Sequence, residues 1–175
     1  MTADLTRAWV LAPGRGRERV RVENWVESRQ EEAAHVIAAA YQEHIDGQVN
    51  DQYRSPAGAR RFLMNIVQHP GCGSFFQPAS FLAVDGEDGR VCGLCLASLV
   101  AEEAGHITQV CVAPEVRGTG VGYELMRRSL AAMAGYGCRS VSLTVTAANR
   151  GAVELYERMG FGTLRQFGAW VWEGF

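Results

Sequence analysis

The sequence predicts a mixed α/β fold in which strands and amphipathic helices surround one sheet, and three observations carry that reading. His106-Ile107-Thr108-Gln109-Val110-Cys111-Val112 repeats β-branched and apolar residues at period two, as a strand does. Arg117-Gly118-Thr119-Gly120-Val121-Gly122 is a glycine turn, and beyond it Leu125, Met126, Ser129, Leu130 and Met133 recur at helical spacing up to Gly135, where a C-terminal cap is expected. Two apolar runs around Asp85 to Gly89 read as a hairpin, which adds an antiparallel pair of strands.

Taken in order, residues 1–17 carry little pattern, and we read them as a flexible lead-in, with a single domain over 18–175. Arg19-Val20-Arg21-Val22 alternates as a first strand. Ser28 and Glu31 have capping-box spacing ahead of a helix that shows Ala34, Ile37, Ala40, Tyr41 and Ile45 on one face and ends at Gly47. Ser55-Pro56 starts a second helix, with Phe62, Leu63, Ile66 and Val67 on its buried face and Pro70 beyond its end. Between the two lies a polar connection, Asp46 to Arg54, with Asn50, Asp51 and Tyr53. Strands follow at Phe81 to Val84, Val91 to Val100 and His106 to Val112, the last stopped by Pro114, which cannot extend a ladder. After the glycine turn and its helix come a strand from Ser140 to Thr146 and a helix capped by Asn149, with Ala152, Val153, Tyr156 and Met159 on one face and Gly160 at its end. Leu164 to Phe167 and Trp170 to Glu173 read as two short closing strands.

Composition narrows the function. The 175 residues carry a net charge of −2, which gives no reason to expect a nucleic-acid partner, and every one of the 17 basic residues is arginine. No apolar run approaches the roughly 20 residues that span a bilayer, so no membrane association is expected. Five cysteines without a signal peptide ahead of them point to reduced thiols and a cytoplasmic protein. Cys92 and Cys95 face opposite sides of a strand and no second ligand pair has zinc-site spacing, so no metal is expected.

A strand, a glycine turn and a helix N-terminus make an anion site, because the glycines admit close approach and the first N–H groups of the helix are unpaired. A nucleotide P-loop needs Gly-Lys-Ser/Thr, but Tyr123 follows Gly122 and the chain has no lysine. A dinucleotide fingerprint fails at Tyr123 too, and its acidic ribose partner is missing. What remains is a pyrophosphate cradle read by backbone N–H groups with Arg117 at its mouth, or a turn that merely connects two elements.

Val110-Cys111-Val112-Ala113-Pro114, the turn Arg117 to Gly122, and Asn149 followed by Ala152-Val153-Glu154-Leu155-Tyr156-Glu157-Arg158-Met159-Gly160-Phe161 together resemble the GNAT superfamily of acyl-CoA-dependent N-acyltransferases. The resemblance is sharp over 106–162 and follows the order of elements over 18–175. It implies a mostly antiparallel central sheet of about seven strands with four helices on its two faces. It also implies acetyl-CoA as acyl donor and a small-molecule or peptide amine as acceptor; direct attack in a ternary complex is expected because nothing in the sequence marks Cys111 or another side chain as an activated nucleophile. The rival is a non-catalytic acyl-CoA-binding or sensor module. A homodimer is compatible with either.

Within the resemblance, Val110, Cys111 and Val112 border the pantetheine arm, with backbone groups of Val110 and Val112 pairing to it. Arg117, Gly118, Thr119, Gly120, Val121 and Gly122 hold the pyrophosphate. Asn149 serves the pantetheine amides or simply caps its helix. An N–H near Val112 is the expected oxyanion donor. Tyr156, two helical turns past Asn149, is expected to approach the thioester sulfur. A phenol is a weak acid toward a thiolate, so hydrogen bonding to the leaving sulfur is expected as much as full proton transfer. Many relatives carry a glutamate base on one of the two central strands; here those places hold His106 and Thr144. His106 is therefore the candidate base, directly or through water, against a structural role for the same side chain; Glu102 and Glu103, consecutive acids at a hairpin tip, are further candidates. The connection Asp46 to Arg54 borders the acceptor, or is a solvated loop.

Overall fold

A computed structural model describes residues 1–6 and 11–168, apart from the side chains of residues 16 and 17. Among the described residues seven strands form one sheet: β1 (Thr2–Asp4), β2 (Val20–Asn24), β3 (Ser74–Phe75), β4 (Phe81–Asp85), β5 (Val91–Ala101), β6 (Ala104–Val112) and β7 (Ser140–Leu143). Five α-helices accompany them: α1 (Gln30–Ala40), α2 (Ile45–Val49), α3 (Pro56–Gln68), α4 (Val121–Tyr136) and α5 (Arg150–Arg158). The sheet runs β1-β7-β6-β5-β4-β2, with β3 added beside β5, and every pairing is antiparallel except β6 with β7.

β5 is the centre. Its first eight residues are buried, which requires cover on both faces. Gly93 and Cys95 turn toward Leu125 and Met126 of α4, while the alternate residues Leu94 and Leu96 are buried on the opposite side, where α1 packs. The α4 stripe read from the sequence is in place, since Leu125, Met126, Ser129, Leu130 and Met133 are all buried. Its cap is Gly137, in the left-handed region at φ 112°, rather than Gly135.

Several boundaries differ from the sequence reading. Residues 2–4, expected in a lead-in, form β1 and pair with β7, burying Ala3 and Leu5. Ser28 caps nothing in α1: a 3₁₀ turn over Glu27–Arg29 precedes the helix, whose N-cap is Arg29. That helix also stops at Ala40, short of Gly47. Glu43 takes φ 59° in the turn that follows, and Gly47 sits inside α2, where a Cβ would lie 2.8 Å from the Tyr41 carbonyl oxygen. Ser55 caps α3 as read, accepting from the Gly58 N–H at 3.1 Å. The strand expected from Ser140 to Thr146 ends at Leu143. Residues 163–168 have no regular structure and are exposed, so Leu164 to Phe167 is not a strand; Trp170 to Glu173 lies outside the described residues.

One irregularity positions everything that follows. On β6 the register against β5 jumps between Ile107 and Gln109, leaving Thr108 as an extra residue whose hydroxyl donates to the Leu96 carbonyl at 3.0 Å. A bulge bends a strand and strengthens its twist. The pairing of β6 with β7 ends at that same point, at Ile107 opposite Leu143. From Thr108 to Val112 the β7 side of β6 therefore meets no strand among the described residues.

Candidate active site

Where β6 and β7 part, two hollows open that share Tyr41, Val110, Asn149 and Ala152. One is a groove of about 730 Å³ running along the glycine turn; the other is a smaller cleft of about 350 Å³ over Gln109, Thr144 and Tyr156.

The groove is built from backbone. The Ala113 N–H donates to the Cys92 carbonyl at 2.8 Å. Because main-chain groups alternate along an antiparallel ladder, the amides of Val110 and Val112 turn away from β5, toward the opening. At the far end Gly118 and Gly120 take φ 72° and 90°, which side chains disfavour, and Gly120 is the N-cap of α4 with no side chain capping the helix. A Cβ at Gly118 would meet nothing within 4 Å, so the turn faces open space. The first N–H groups of a 16-residue helix thus point at a cavity that an anion can enter.

Side chains add charge. Arg117 lines the groove and donates to the Ala40 carbonyl at 2.5 Å, which ties the turn to the end of α1. Arg15 and Arg158 line it as well. Neither was singled out in the sequence. Arg158 could have been, since it continues the stripe Asn149, Ala152, Leu155 along α5 at three-residue steps. Arg15 could not, because its segment reaches the groove only by packing on α4: Gly14 donates to Glu124 at 3.3 Å and Tyr123 donates to the Ala12 carbonyl at 2.9 Å.

Of the expected site residues, the groove brings together Val110, Cys111, Val112, Arg117, Gly118, Thr119, Gly120, Gly122 and Asn149. Val121, fully buried as the first residue of α4, is not among the residues that line it. Burial pushes the Cys111 thiol up to about 12, which leaves it protonated and without nucleophilic character. Asn149 caps α5, its side-chain oxygen accepting from the Ala152 N–H at 3.3 Å, while lining both hollows.

Tyr156 reaches the cleft from α5 and is 7% exposed. Burial raises its pKa well above that of an ordinary phenol, with the charges of Cys95, Asp46 and Cys111 acting the same way, so the hydroxyl stays a donor. His106 does not join it. It is absent from the lining of either hollow, and its Nδ1 lies 2.9 Å from the Ser142 hydroxyl across the β6–β7 pairing. Burial, then the nearby chain-terminal ammonium, lowers its pKa. The candidate base of the sequence reading is thus not among the residues that line either hollow, although Ile107 beside it does line the cleft. Thr144, at the other expected carboxylate position, does line the cleft but brings no carboxylate.

The cleft's far wall comes from the early end of α1 and the connection after it. Tyr41 and Tyr53 stack with centroids 4.4 Å apart and planes 20° apart, and the Gln109 side-chain amide donates to the Tyr41 hydroxyl at 3.1 Å. Asp46, Val49 and Asn50 complete that wall. Asp46, Val49, Asn50 and Tyr53 of the connection thus line a cavity.

A family model described as "Acetyltransferase (GNAT) family" matches residues 17–161. A mycothiol acetyltransferase of Pseudarthrobacter chlorophenolicus is 28% identical over 177 residues, covering 91% of this chain and 53% of that protein. N-alpha-acetyltransferase MAK3 of Arabidopsis thaliana is 34% identical over 76 residues, 39% of this chain and 40% of that one. The chain therefore spans about half, or less, of these curated relatives. Among solved structures, a GCN5-related N-acetyltransferase from Sphaerobacter thermophilus superposes with a TM-score of 0.68 at 23% identity, over 91% of this chain and 45% of that chain, a likeness of fold.

Proposed function

We propose, since the chain belongs to the acetyltransferase (GNAT) family, that it transfers the acetyl group of acetyl-CoA to a primary amine by direct attack in a ternary complex. The observation that carries this reading is the parting of β6 from β7 at the Thr108 bulge, which leaves outward amides on β6 between an anion-binding turn and a buried phenol.

The fit to the donor is chemical. A diphosphate suits the α4 N-terminus with Arg117, Arg15 and Arg158 around it, and an amide-bearing arm suits the outward N–H and C=O groups of Val110 and Val112. Bound there, acetyl-CoA supplies an activated thioester carbonyl. The Val112 N–H faces the opening and is the proposed donor to the oxyanion, where preorganised donors are worth most. Tyr156, held protonated by burial, donates a hydrogen bond to the departing sulfur. Cys111, half-buried with its thiol pKa raised, argues against a covalent acyl-enzyme and for direct attack.

Tyr156→Phe tests the enzyme reading against a binding module. Acetyl transfer predicts a fall in kcat of about 10²-fold or more, with coenzyme A affinity by calorimetry unchanged. Unchanged turnover with retained coenzyme A binding would overturn the role given to Tyr156.

A further inference from the structure

The two hollows differ in charge. The groove is lined by Arg15, Arg117 and Arg158, whereas the cleft has no arginine, lysine or histidine among its described lining residues and one carboxylate, Asp46. Asp46 sits on α2 with its side chain 19% exposed. Its Oδ1 is buried and, among the described residues, has no hydrogen-bond partner. Its Oδ2 lies 3.5 Å from His44 Nδ1, but that nitrogen already accepts from the Asp46 backbone N–H at 3.2 Å. A neutral His44 therefore has no proton on that atom to give. A buried carboxylate oxygen without a donor is costly unless something that enters the cavity supplies one.

We propose that Asp46 docks the acceptor as its ammonium form, and that the cleft takes amines bearing no carboxylate beside the amine. This rests on the acetyl-transfer reading for what the cleft is for, though not for what it binds. An ammonium offers three donors and a charge opposite to that of Asp46. The stacked rings of Tyr41 and Tyr53 form the adjoining wall, a surface suited to an apolar or aromatic body and to a cation near its face. Asp46 and Tyr156, the phenol proposed to meet the thioester sulfur, line this same cleft. A free α-amino acid is disfavoured by the same census, because its carboxylate would meet Asp46 and no cation. Docking concerns the ammonium alone, before it loses a proton and attacks. Simple amines and polypeptide N-termini share this chemistry.

The test is calorimetric titration of the protein at pH 8, above the range where histidine ordinarily titrates. The probes are 2-phenylethylamine, 2-phenylethanol, L-phenylalanine, L-phenylalaninamide and a tetrapeptide amide beginning with phenylalanine. The two small amines are expected to bind at least tenfold tighter than the alcohol and than free phenylalanine. Asp46→Asn should erase the preference over the alcohol, and Asp46→Glu should restore part of it. The comparison within the unaltered protein stands even if a variant fails to fold. Equal binding of amine and alcohol, or of phenylalanine and its amide, overturns the proposal, as does a preference that survives Asp46→Asn. A tetrapeptide that binds as tightly as 2-phenylethylamine upholds it for N-termini, and one tenfold weaker upholds it for small free amines. Thiol release from acetyl-CoA, followed separately with the same amines, reads on acetyl transfer alone: amines that bind with the stated preference but release no thiol would sink the enzyme reading and leave the docking site standing.

Discussion

At the scale of single residues, place on the sheet matters more than chemical type. His106 has the ring chemistry of a general base, yet its ring meets Ser142, whereas its neighbours from Ile107 to Val110 line the cleft. His106→Gln is accordingly expected to change kcat/KM for amine acetylation by less than about threefold, since a side chain that touches no reacting atom contributes little to general-base catalysis. A steady-state rate comparison at saturating acetyl-CoA reads it, and a hundredfold loss would restore the histidine as base. Tyr156 was legible from the sequence because its distance from Asn149 fixes a shared helix face. Asp46 was legible only as the first residue of a connection. Its place beside Tyr41 and Tyr53 in the cleft follows from a helix that stops at Ala40, earlier than its apolar pattern suggests.

At the scale of elements, the N-terminus of α4 is held from behind by an ion cluster around a buried carboxylate. Glu124 is fully buried and accepts from Arg127 at 2.7 and 2.8 Å, from Arg128 at 3.0 Å and from the Gly14 N–H at 3.3 Å. Burial alone would raise its pKa; the guanidinium and amide hydrogen bonds outweigh that together and bring it down to about 2. A carboxylate depressed from 4.5 to about 2 on folding adds stability that is complete above pH 4.5 and is lost as the pH falls from there toward 2, about 3 kcal/mol in all. Glu124→Gln should cost about 3 kcal/mol in urea unfolding at pH 7 and flatten the acid dependence between pH 4.5 and 2. An unaltered acid limb would show that the cluster is not what holds the helix. Because Gly14 belongs to this cluster and Arg15 follows it, the variant should also weaken coenzyme A binding through loss of the Arg15 side of the groove. The glycine turn was plain in the sequence, since positive φ and close approach demand glycine. The strap over Glu124 was not, because nothing local in residues 11–18 encodes a partner 110 residues away.

For the whole molecule, the sheet is closed on its β7 side by its own first residues. β1 pairs Thr2–Asp4 with Ser140–Ser142, the Thr2 N–H donates to the Gly162 carbonyl at 2.9 Å, and Leu5 is 7% exposed. Leu5→Ala should therefore destabilise the protein by about 2–5 kcal/mol, the range for a buried leucine, and lower its Tm by roughly 4–20 °C. A thermal melt unchanged from the parent would mean that β1 does not belong to the cooperative unit. The sequence by itself determined the mixed α/β class, the central β4–β5–β6 meander, the α3, α4 and α5 helices, the glycine turn, and the pairing of Asn149 with Tyr156. All of these rest on periodicity, capping and backbone freedom, which act over a turn or two of chain. Only the tertiary structure decided that residues 2–4 are an edge strand, that Thr108 is a bulge, that β7 stops at Leu143 and that His106 is left outside while Asp46 is enclosed. Those features depend on contacts between segments far apart in the chain, where the deciding energy is burial and pairing across the sheet rather than any preference of the residues themselves.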